Sequence, residues 1–343
     1  MKPYQELTRR GRLRRLRKLA EIALQHYSLE DCRLTFQHYQ GNVVFRVDVP
    51  GGEEAETSIF VPNRYNLRIL TTHNEEMIRS ELVWLAALRR EADLPVREPV
   101  PNLDGELYTF IELPGIPHGR YVTLMRWVDG RRLEGGLRPK HMQSWGEITA
   151  KLHNFSAGWQ PPDGFFRPAW DWRGQLGGRD FRVSVEELVE RMPQEFRQPF
   201  LEISEEVQKV TRRLGKKSDA YGLIHADMYP ENLLFKAGRA IPIDFEDCGW
   251  GYWIWDIGTG LSTWPWTEDF AWRRDAFLEG YARYRTLPEA QLKHLDLFMA
   301  ATYATMALWA TMFIYHDPAM EAEHAAWRAG EGEKLLRFFE NAK

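Results

Sequence analysis

The sequence predicts an α+β protein built as two lobes, a small β-rich one followed by a larger, mostly helical one. The chain has 343 residues, which is long for a single hydrophobic core. Short alternating runs typical of strands lie before residue 128, and long runs with helical spacing dominate after it. We therefore expect an N-terminal domain at 1–127, led by a basic helix, and a C-terminal domain at 128–343.

The composition is that of an ordinary globular protein, with 44% hydrophobic and 27% charged residues. A net charge of −4 gives no reason to expect a nucleic-acid partner, because nucleic-acid-binding domains are usually strongly basic. Cys32 and Cys248 are the two cysteines, too few for a disulfide framework or a zinc site. These features favour a reducing compartment, and we expect a cytoplasmic protein.

The first element is an amphipathic helix at 9–27. Its apolar residues, such as Leu16, Ala20 and Ala23, fall on one face, and arginines and lysines fill the other. A basic helix of this kind can bind acidic lipid or nucleic acid. Because such faces are more often simply solvated, we expect no partner for it.

The rest of the N-terminal domain reads as strands around one helix. The predicted strands lie at 34–40, 43–49, 66–70, 107–112 and 121–127. Gly41-Asn42 separates the first two as a hairpin turn. A helix starts near Thr72, where Thr72 and Glu75 have the spacing of a capping box, and prolines from Pro95 onward end it.

The C-terminal domain is predicted to be helical around one β-hairpin. The helices lie at 142–155, 183–214, 270–284, 289–315 and 320–339, and the hairpin lies at 233–243. Residues 297–315 carry no charge, a length close to that of a membrane span. Their threonines and the flanking Asp296 and His316 favour a buried helix, so we expect no membrane span.

The most informative motif is H-x-D-x-x-x-x-N, formed by His225, Asp227 and Asn232. Asp244 follows it, directly after a β-rich run. This arrangement is the one found in kinase catalytic loops. Phosphate-binding loops of the P-loop type, dinucleotide fingerprints and zinc-protease motifs are absent from the sequence. The pattern therefore predicts transfer of a phosphoryl group from a nucleoside triphosphate to a hydroxyl.

The chemistry assigns a role to each residue of this motif. Phosphoryl transfer needs an oriented hydroxyl and a base to accept its proton, and we assign Asp227 as that base. Magnesium prefers oxygen ligands, which Asn232 and Asp244 supply. Glu246 either touches a second metal ion or is a solvated carboxylate. His225 is expected to brace the loop rather than to move protons.

These residues resemble the aminoglycoside phosphotransferase superfamily, which has the protein-kinase-like fold. The segments 65–69, 80–88, 124–130 and 145–153 resemble that family's third strand, C-helix, hinge and following helix. Together with the catalytic loop the resemblance covers roughly residues 30 to 260. Among its members, the bacterial homoserine-kinase-like and stress-response-kinase-like groups are the most similar.

The resemblance implies roles outside the catalytic loop. Arg68 stands where the family has the strand lysine that holds the triphosphate, and Glu81 would pair with it. Arginine also grips phosphate, but it is not equivalent to lysine. Asp256 resembles the aspartate that anchors the catalytic loop from a following helix. Gly41 and Asn42 are what remains of the glycine-rich loop. The residues that would border the adenine are Met125, Trp127 and Val128.

The function implied is ATP- and Mg-dependent transfer of the γ-phosphate to a hydroxyl of a small metabolite or amino acid. One alternative is a Ser/Thr protein kinase of the stress-response type, although no Ala-Pro-Glu follows Asp244. Another is a pseudokinase that binds nucleotide without turnover. Aromatic residues of the second domain could line the acceptor, although core packing is the commoner role for each. They are Trp170, Trp172, Trp250, Tyr252, Trp253, Trp264 and Trp266.

Overall fold

The computed structural model describes residues 2–51, 58–70, 74–133, 135–179 and 181–341, without the side chains of Gln40 and Asn341. Two compact units are present, and they are called the first and the second unit below. The first is Met1–Arg131 with Pro161–Phe166, and the second is Arg132–Gln160 with Arg167–Lys343. The predicted boundary at 127/128 falls a few residues before the point where the first unit ends.

The first unit is a five-stranded antiparallel sheet with two helices. The strands are β1 (Arg33–Gln40), β2 (Asn42–Asp48), β3 (Phe60–Ile69), β4 (Tyr108–Ile111) and β5 (Arg120–Val128). They are arranged in the order β1-β2-β3-β5-β4. The helices are α1 (Arg9–Gln25) and α2 (Glu75–Arg90), and a 3-10 turn covers Tyr4–Glu6. The two predicted helices and all five predicted strands of this domain are therefore present.

Alternation along the strands sorts the side chains of the sheet onto two faces. Residues such as Phe45, Leu67 and Leu124 point to one face and form a core with Leu16 and Leu19 of α1. Because successive side chains of a strand point in opposite directions, the neighbours of these residues point to the other face. The functional side chains of β3 and β5 are on that second face.

Several arginines of α1 hold the edge strand β1. Arg9 donates to the carbonyl of Tyr39 at 3.2 Å, and Arg17 donates to that of Leu34 at 2.8 Å. Other basic residues of the helix, such as Lys18, point into solvent. The basic composition of α1 thus has a partly structural explanation, since edge-strand carbonyls need donors.

The start of α2 is fixed by Asn74, whose side chain accepts from the backbone N–H of Met77 at 2.9 Å. The predicted capping residue Thr72 lies outside the described residues. The segment Pro161–Phe166 joins the first unit at this helix. Arg79 donates to the carbonyl of Gly164 at 2.9 Å, and Phe166 N–H donates to the hydroxyl of Ser80 at 2.8 Å.

The second unit is mostly helical. Its helices are α3 (Pro139–Gly158), α4 (Trp172–Gln175), α5 (Val185–Arg191), α6 (Gln194–Leu214), α7 (Trp253–Leu261), α8 (Phe270–Ala282), α9 (Glu289–Leu292), α10 (Leu295–His316) and α11 (Glu321–Asn341). Its strands are β6 (Ala169–Trp170), β7 (Tyr221–Ile224), β8 (Leu233–Lys236), β9 (Arg239–Pro242) and β10 (Gly249–Tyr252). The strands form a sheet of order β6-β10-β7 and the hairpin β8-β9, and 3-10 turns cover Pro230–Asn232 and Pro318–Met320. The predicted α+β fold is confirmed.

Two predicted helices of this unit are each divided in the structure. The predicted helix 183–214 is interrupted at Met192 and Pro193, because proline lacks the N–H that a helix interior needs. The predicted helix 289–315 is interrupted at Lys293 and His294, between α9 and α10. Helix α7 could not be predicted from periodicity because all of its residues are buried, and only the family resemblance implied a helix that carries Asp256.

Helix α10 contains the uncharged segment 297–315, whose length is close to that of a membrane span. It is long and apolar enough to cross a bilayer, with a mean hydropathy of 1.6 in its most apolar window. Within the structure 67% of that window is buried, and the helix packs against α6, α7 and α11. Its apolar composition is thus explained by packing inside the second unit.

Two glycines allow α3 and α8 to approach closely. A Cβ atom added at Gly146 would lie 2.0 Å from the carbonyl oxygen of Phe277, and one at Gly280 would lie 1.9 Å from that of Gln143. Since the obstacle in each case is backbone rather than a flexible side chain, only glycine fits at this crossing.

Gly146→Ala should therefore lower the free energy of unfolding by about 1–3 kcal/mol, the usual cost of overpacking. The measurement is equilibrium urea unfolding. Gly158→Ala is the matched control, because a Cβ at the end of the same helix meets nothing within 4 Å. Equal stability of the two variants would contradict the assigned role of Gly146.

Candidate active site

The loop after β7 brings Asp227 and Asn232 together. The Nδ2 of Asn232 donates to the Asp227 carboxylate at 2.5 Å and to the Asp227 carbonyl at 3.0 Å. The 3-10 turn Pro230–Asn232 folds the chain back so that a residue five positions later reaches the aspartate. Because Nδ2 makes both contacts, the amide oxygen is the atom of Asn232 that can act as a ligand.

The surroundings of Asp227 alter its acidity. Burial raises its pKa, the carboxylates of Asp247 and Asp244 raise it further, and the hydrogen bond from Asn232 opposes them. The resulting pKa is about 7, against an ordinary value of 3.8. A carboxyl group that titrates near neutral pH is suited to accept a proton from a substrate.

The loop that carries Asp227 and Asn232 is held by Asp256 on α7. Its carboxylate accepts the backbone N–H groups of His225 at 3.1 Å and Ala226 at 2.9 Å. Ala226 has a φ of +69°, in the left-handed region. Residues other than glycine rarely adopt this conformation. Ala226 keeps it because the Asp256 carboxylate holds the backbone of Ala226 and His225 in place.

The side chain of His225 connects this loop to the next hairpin. It is fully buried, and its Nε2 donates to the carbonyl of Ile243 at 3.0 Å. Burial lowers the pKa of His225, so the ring is neutral. The contact holds the backbone directly before Asp244.

A second buried histidine supports Asp256 from behind. His153 of α3 contacts the Asp256 carboxylate through Nε2 at 3.1 Å and the Tyr281 hydroxyl through Nδ1 at 3.0 Å. Burial lowers the pKa of His153, and the nearby Arg285 lowers it further. Burial acts to raise the pKa of Asp256, but hydrogen bonds, with that of His153 foremost, outweigh it and hold the pKa below its usual range. The neutral ring therefore donates to an ionised carboxylate.

Asp244 follows β9 and is exposed, with a φ of +67°. The chain after it is held through its backbone carbonyls. Arg167 donates to the carbonyl of Cys248 at 2.5 Å and also to that of Glu246. Trp170 donates to the carbonyl of Asp247 at 2.5 Å. These contacts fix the backbone that presents the three carboxylates at 244, 246 and 247.

The donors in this loop are suited to a hard cation. Among the described residues no cluster of three or more His, Cys, Asp or Glu side chains is arranged to hold a metal ion. The amide oxygen of Asn232 and the carboxylate of Asp244 remain as oxygen donors, the type that Mg²⁺ prefers when phosphate and water complete its shell. A metal role for Glu246 stays a prediction.

In the first unit, the structure pairs Arg68 with Glu81. Nη2 of Arg68 lies 2.8 and 2.7 Å from the two carboxylate oxygens of Glu81. Arg68 is on β3 and Glu81 is on α2, and both are almost fully buried. A buried charge needs a partner, and this pair satisfies that need in the way that the resemblance implies.

The remaining predicted nucleotide contacts also belong to the first unit. Gly41, with a φ of +66°, links β1 and β2 by itself, because Gln40 pairs directly with Asn42. The predicted Gly41-Asn42 turn is wrong in this detail, since Asn42 already belongs to β2. Arg68 pairs with Thr123 of β5, so these two side chains are on the same face of the sheet. Because successive side chains of a strand alternate, Met125 and Trp127 are on that face too, and Leu124 is on the opposite one. Val128 ends that strand and is buried.

The aromatic acceptor candidates divide into core residues and others. Trp253 is fully buried and packs against His153, with ring centroids 4.6 Å apart. Tyr252 is also buried and donates to the carbonyl of Thr211 at 3.1 Å. These two residues are unavailable to an acceptor. Trp266 is half-buried, and its ring centroid lies 6.2 Å from that of Tyr303.

Several residues close to the loop of Asp227 and Asn232 were given no role by the sequence reasoning. The charges of Asp227 and Glu331 help to raise the pKa of Tyr229, whose burial is the main cause. Asp247 contributes to the raised pKa of Asp227. Tyr229 and Asp247 lie beside the motif, which is the signal that could have assigned them a role. Glu331 gives no such signal, because it lies about a hundred residues along the chain on α11.

Comparison with known proteins identifies similar sequences. A profile of the phosphotransferase enzyme family matches residues 47–293. Amicoumacin kinase of Bacillus subtilis (strain 168) is 24% identical over 255 residues, which cover 68% of this chain and 70% of that protein. Homoserine kinase of Agrobacterium fabrum is 27% identical over 236 residues, which cover 67% of this chain and 68% of that protein.

Solved structures share the fold over nearly the whole chain. A microcompartment-associated aminopropanol kinase superposes with a TM-score of 0.76 at 25% identity, covering 94% of this chain and 98% of that one. The amicoumacin kinase hAmiN, in complex with AMP-PNP, Ca²⁺ and Ami, superposes with a TM-score of 0.73 at 22% identity, covering 94% and 92%.

Replacing Arg68 by Met should destabilise the first unit by about 3–5 kcal/mol, because it leaves the Glu81 carboxylate buried without its partner. Urea unfolding measures the loss. Arg64→Met is the control on the same strand, since its ion pair with Asp48 is partly exposed and should cost about 1 kcal/mol or less. The double variant Arg68→Met/Glu81→Leu should recover much of the stability. No recovery would contradict the assignment.

His153 should make stability depend on pH. Its folded pKa lies below the unfolded value, so the unfolded chain binds a proton that the folded protein excludes as the pH falls through 6.5. The free energy of unfolding should thus fall between pH 7.5 and 5.5, with His153 contributing a slope of at most about 1.4 kcal/mol per pH unit. His153→Gln should flatten that slope in urea titrations at several pH values, whereas His118→Asn, at an exposed histidine, should keep it.

Proposed function

The chain belongs to the phosphotransferase enzyme family, and on this premise we propose that it transfers the γ-phosphate of ATP to a hydroxyl of a small metabolite or amino acid. Membership of the family bears out the resemblance seen in the sequence and the protein-kinase-like fold. A phosphotransferase that acts on a hydroxyl follows from the family and from the kinases it resembles. The nucleotide, the base and the metal are the proposed details.

The observation that carries the proposal is the contact between Asp227 and Asn232, at a place where burial and, after it, neighbouring carboxylates raise the pKa of Asp227 to about 7. In the proposed reaction Asp227 accepts the proton of the acceptor hydroxyl. The hydroxyl oxygen forms a bond to the γ-phosphorus while the bond to the β-phosphate oxygen breaks. The products are a phosphate ester and ADP, and the proton on Asp227 is later released to solvent.

The oxygen donors of the loop would hold Mg²⁺, through Asn232 and Asp244, with Glu246 able to serve a second ion. When bound, the metal neutralises phosphate charge. A relative whose structure is a complex with AMP-PNP and Ca²⁺ supports the use of a nucleotide and a divalent cation. His225 and Asp256 would act on this chemistry only by positioning the loop.

In the first unit, Arg68 would hold the triphosphate while Glu81 keeps it oriented. The turn at Gly41, with Asn42 at the start of β2, would lie along the phosphates, and the adenine would be bordered by Met125, Trp127 and Val128. Arginine fits this role because its planar guanidinium can grip phosphate at two points. The cytoplasm, which supplies ATP and Mg²⁺, is the compartment in which we expect the reaction.

Two alternative functions would use some of the same residues. A protein kinase of the stress-response type would share the base and the metal site but place phosphate on Ser or Thr. A pseudokinase would bind nucleotide without turnover. The similar proteins are named as kinases of amicoumacin, homoserine and aminopropanol, which favours a small-molecule acceptor.

The test is transfer of labelled phosphate from ATP·Mg²⁺ to a pooled metabolite extract with protein included. Asp227→Asn should lower kcat by at least about a hundredfold, because removal of a general base costs that much or more. Asp244→Asn should lower turnover and raise the Mg²⁺ concentration needed. Asp275→Asn, at an exposed aspartate on α8, is the control and should behave like the wild type.

The labelled product separates the three functions. Label on a metabolite supports the proposal, and label on protein establishes the stress-response alternative. Full turnover by Asp227→Asn would remove that residue as the base. Absence of transfer by the wild type, with nucleotide still bound, would favour the pseudokinase or indicate that the extract lacks the acceptor.

A further inference from the structure

The chain segment 164–170 is held at both of its ends, and α2 of the first unit holds the first end. Arg79 donates to the carbonyl of Gly164 at 2.9 Å, and the backbone N–H of Phe166 donates to the Ser80 hydroxyl at 2.8 Å. Ser80 is buried, so its loss would leave the N–H of Phe166 without an acceptor. The backbone of the segment therefore follows this part of α2.

The other end of the segment is held by residues 244–250, called the metal loop below because the proposed metal ligand Asp244 is its first residue. Arg167 is 4% exposed, and its guanidinium donates to the backbone carbonyls of Glu246 and Cys248. A planar guanidinium that binds two carbonyls fixes their relative position, which a single donor would not do. Arg167 thus sets the course of the metal loop.

The residues after Arg167 add two further contacts with the metal loop. The indole of Trp170 donates to the carbonyl of Asp247 at 2.5 Å. The carbonyl of Pro168 accepts the backbone N–H of Trp250 at 2.8 Å. Contacts to the metal loop are therefore made along the whole second half of the segment.

The two held ends of the segment are adjacent in the chain. The first unit ends at Phe166 and the second resumes at Arg167. Phe166 is bonded to Ser80, which directly precedes Glu81 in α2. Because the peptide bond is planar and stiff, only a few backbone dihedral angles separate the contact with α2 from the contacts with the metal loop. A shift of α2 at Ser80 is consequently passed on to Arg167.

We infer that Ser80 and Arg167 are positioning residues that couple α2 to the metal loop. The inference rests on the proposed function and deepens it. Glu81 of α2 would orient Arg68 on the triphosphate, and Asp244 would hold the metal on the same phosphates. Phosphoryl transfer needs both groups in place at once. The segment supplies a mechanical link by which the nucleotide held through α2 favours the geometry of the metal loop.

The link has a consequence that a local contact lacks. Coupling between two sites is reciprocal, so a change at either end should reach the other. Loss of the Ser80 contact should loosen the metal loop, and loss of the Arg167 contacts should loosen α2. If each contact only stabilised its own surroundings, each change would stay at its own end.

The first measurement is hydrogen–deuterium exchange of the ligand-free protein, read in peptides that cover the metal loop. Ser80→Ala should raise exchange there by about threefold or more, because a lost neutral hydrogen bond changes an opening equilibrium by about that factor. Arg167→Lys keeps the charge but cannot bind both carbonyls, and it should raise exchange in peptides covering 78–84 of α2.

Glu75→Ala is the matched control. It also frees α2, but from the hydroxyls of Tyr108 and Tyr121 in the sheet, which lie 2.6 and 3.1 Å from the Glu75 carboxylate. It should leave exchange of the metal loop unchanged. Unchanged exchange of the metal loop in Ser80→Ala would overturn the inference. That result does not need Arg167→Lys, so a folding defect of the buried variant leaves the test intact.

The second measurement is the Mg²⁺ concentration that half-saturates protection of the metal loop from exchange when AMP-PNP is present. Ser80→Ala should raise this concentration about three- to tenfold, although Ser80 is not a proposed metal ligand. In the background of Arg167→Lys it should add little, because the link is already broken. Effects of the two changes that multiply independently would overturn the inference.

Neither measurement requires turnover, so the inference and the proposed function can fail separately. A raised exchange in Ser80→Ala with an unchanged Mg²⁺ requirement would reduce the segment to a structural tether and overturn the positioning role. Absence of any protection by Mg²⁺ and AMP-PNP in the wild type would remove the metal loop as a metal site, and the inference with it. A wild type that is protected but transfers no phosphate would contradict the proposed function alone.

Discussion

The conformation of the loop after β7 in the second unit depends on one carboxylate, which accepts hydrogen bonds from two backbone N–H groups. Asp256 accepts from His225 and Ala226, and this fixes the loop on which Asp227 and Asn232 are carried. A loop of this length could adopt many conformations, and a buried carboxylate is a costly way to select one. The cost is offset because both carboxylate oxygens of Asp256 accept hydrogen bonds. One of the donors is the ring of the neutral His153.

The same physical constraint operates in the first unit, with a different pairing. Arg68 and Glu81 are both charged and almost fully buried, so each stabilises the other. Their positions on a strand and a helix tie those two elements together. In both units the groups assigned to chemistry are therefore held by electrostatic contacts that water cannot reach, and apolar packing alone would not orient them.

Structural features that depend on short spacing along the chain could be predicted from the sequence. Features that depend on tertiary packing could not. The motif of Asp227 and Asn232 was readable because both residues are in one loop. The strands of the first unit were readable because they are short runs rich in β-forming residues. Helix α7 has no polar face, so its period was invisible, although it carries Asp256. Glu331 comes near Tyr229 only through the packing of α10 on α11, which no local pattern encodes. Pro193 was visible in the sequence, and its effect on the long helix was underestimated.

The segment Pro161–Phe166 belongs to the first unit although α3 of the second unit precedes it in the chain. Arg79 and Ser80 of α2 contact this segment, so the first unit lacks part of its own structure until residue 166 has been made. During synthesis on the ribosome, the first unit consequently cannot finish folding before α3 has left the exit tunnel. A fragment cut after residue 131 would lack the same contacts, and the two units are thus linked in their order of folding as well as by the chain.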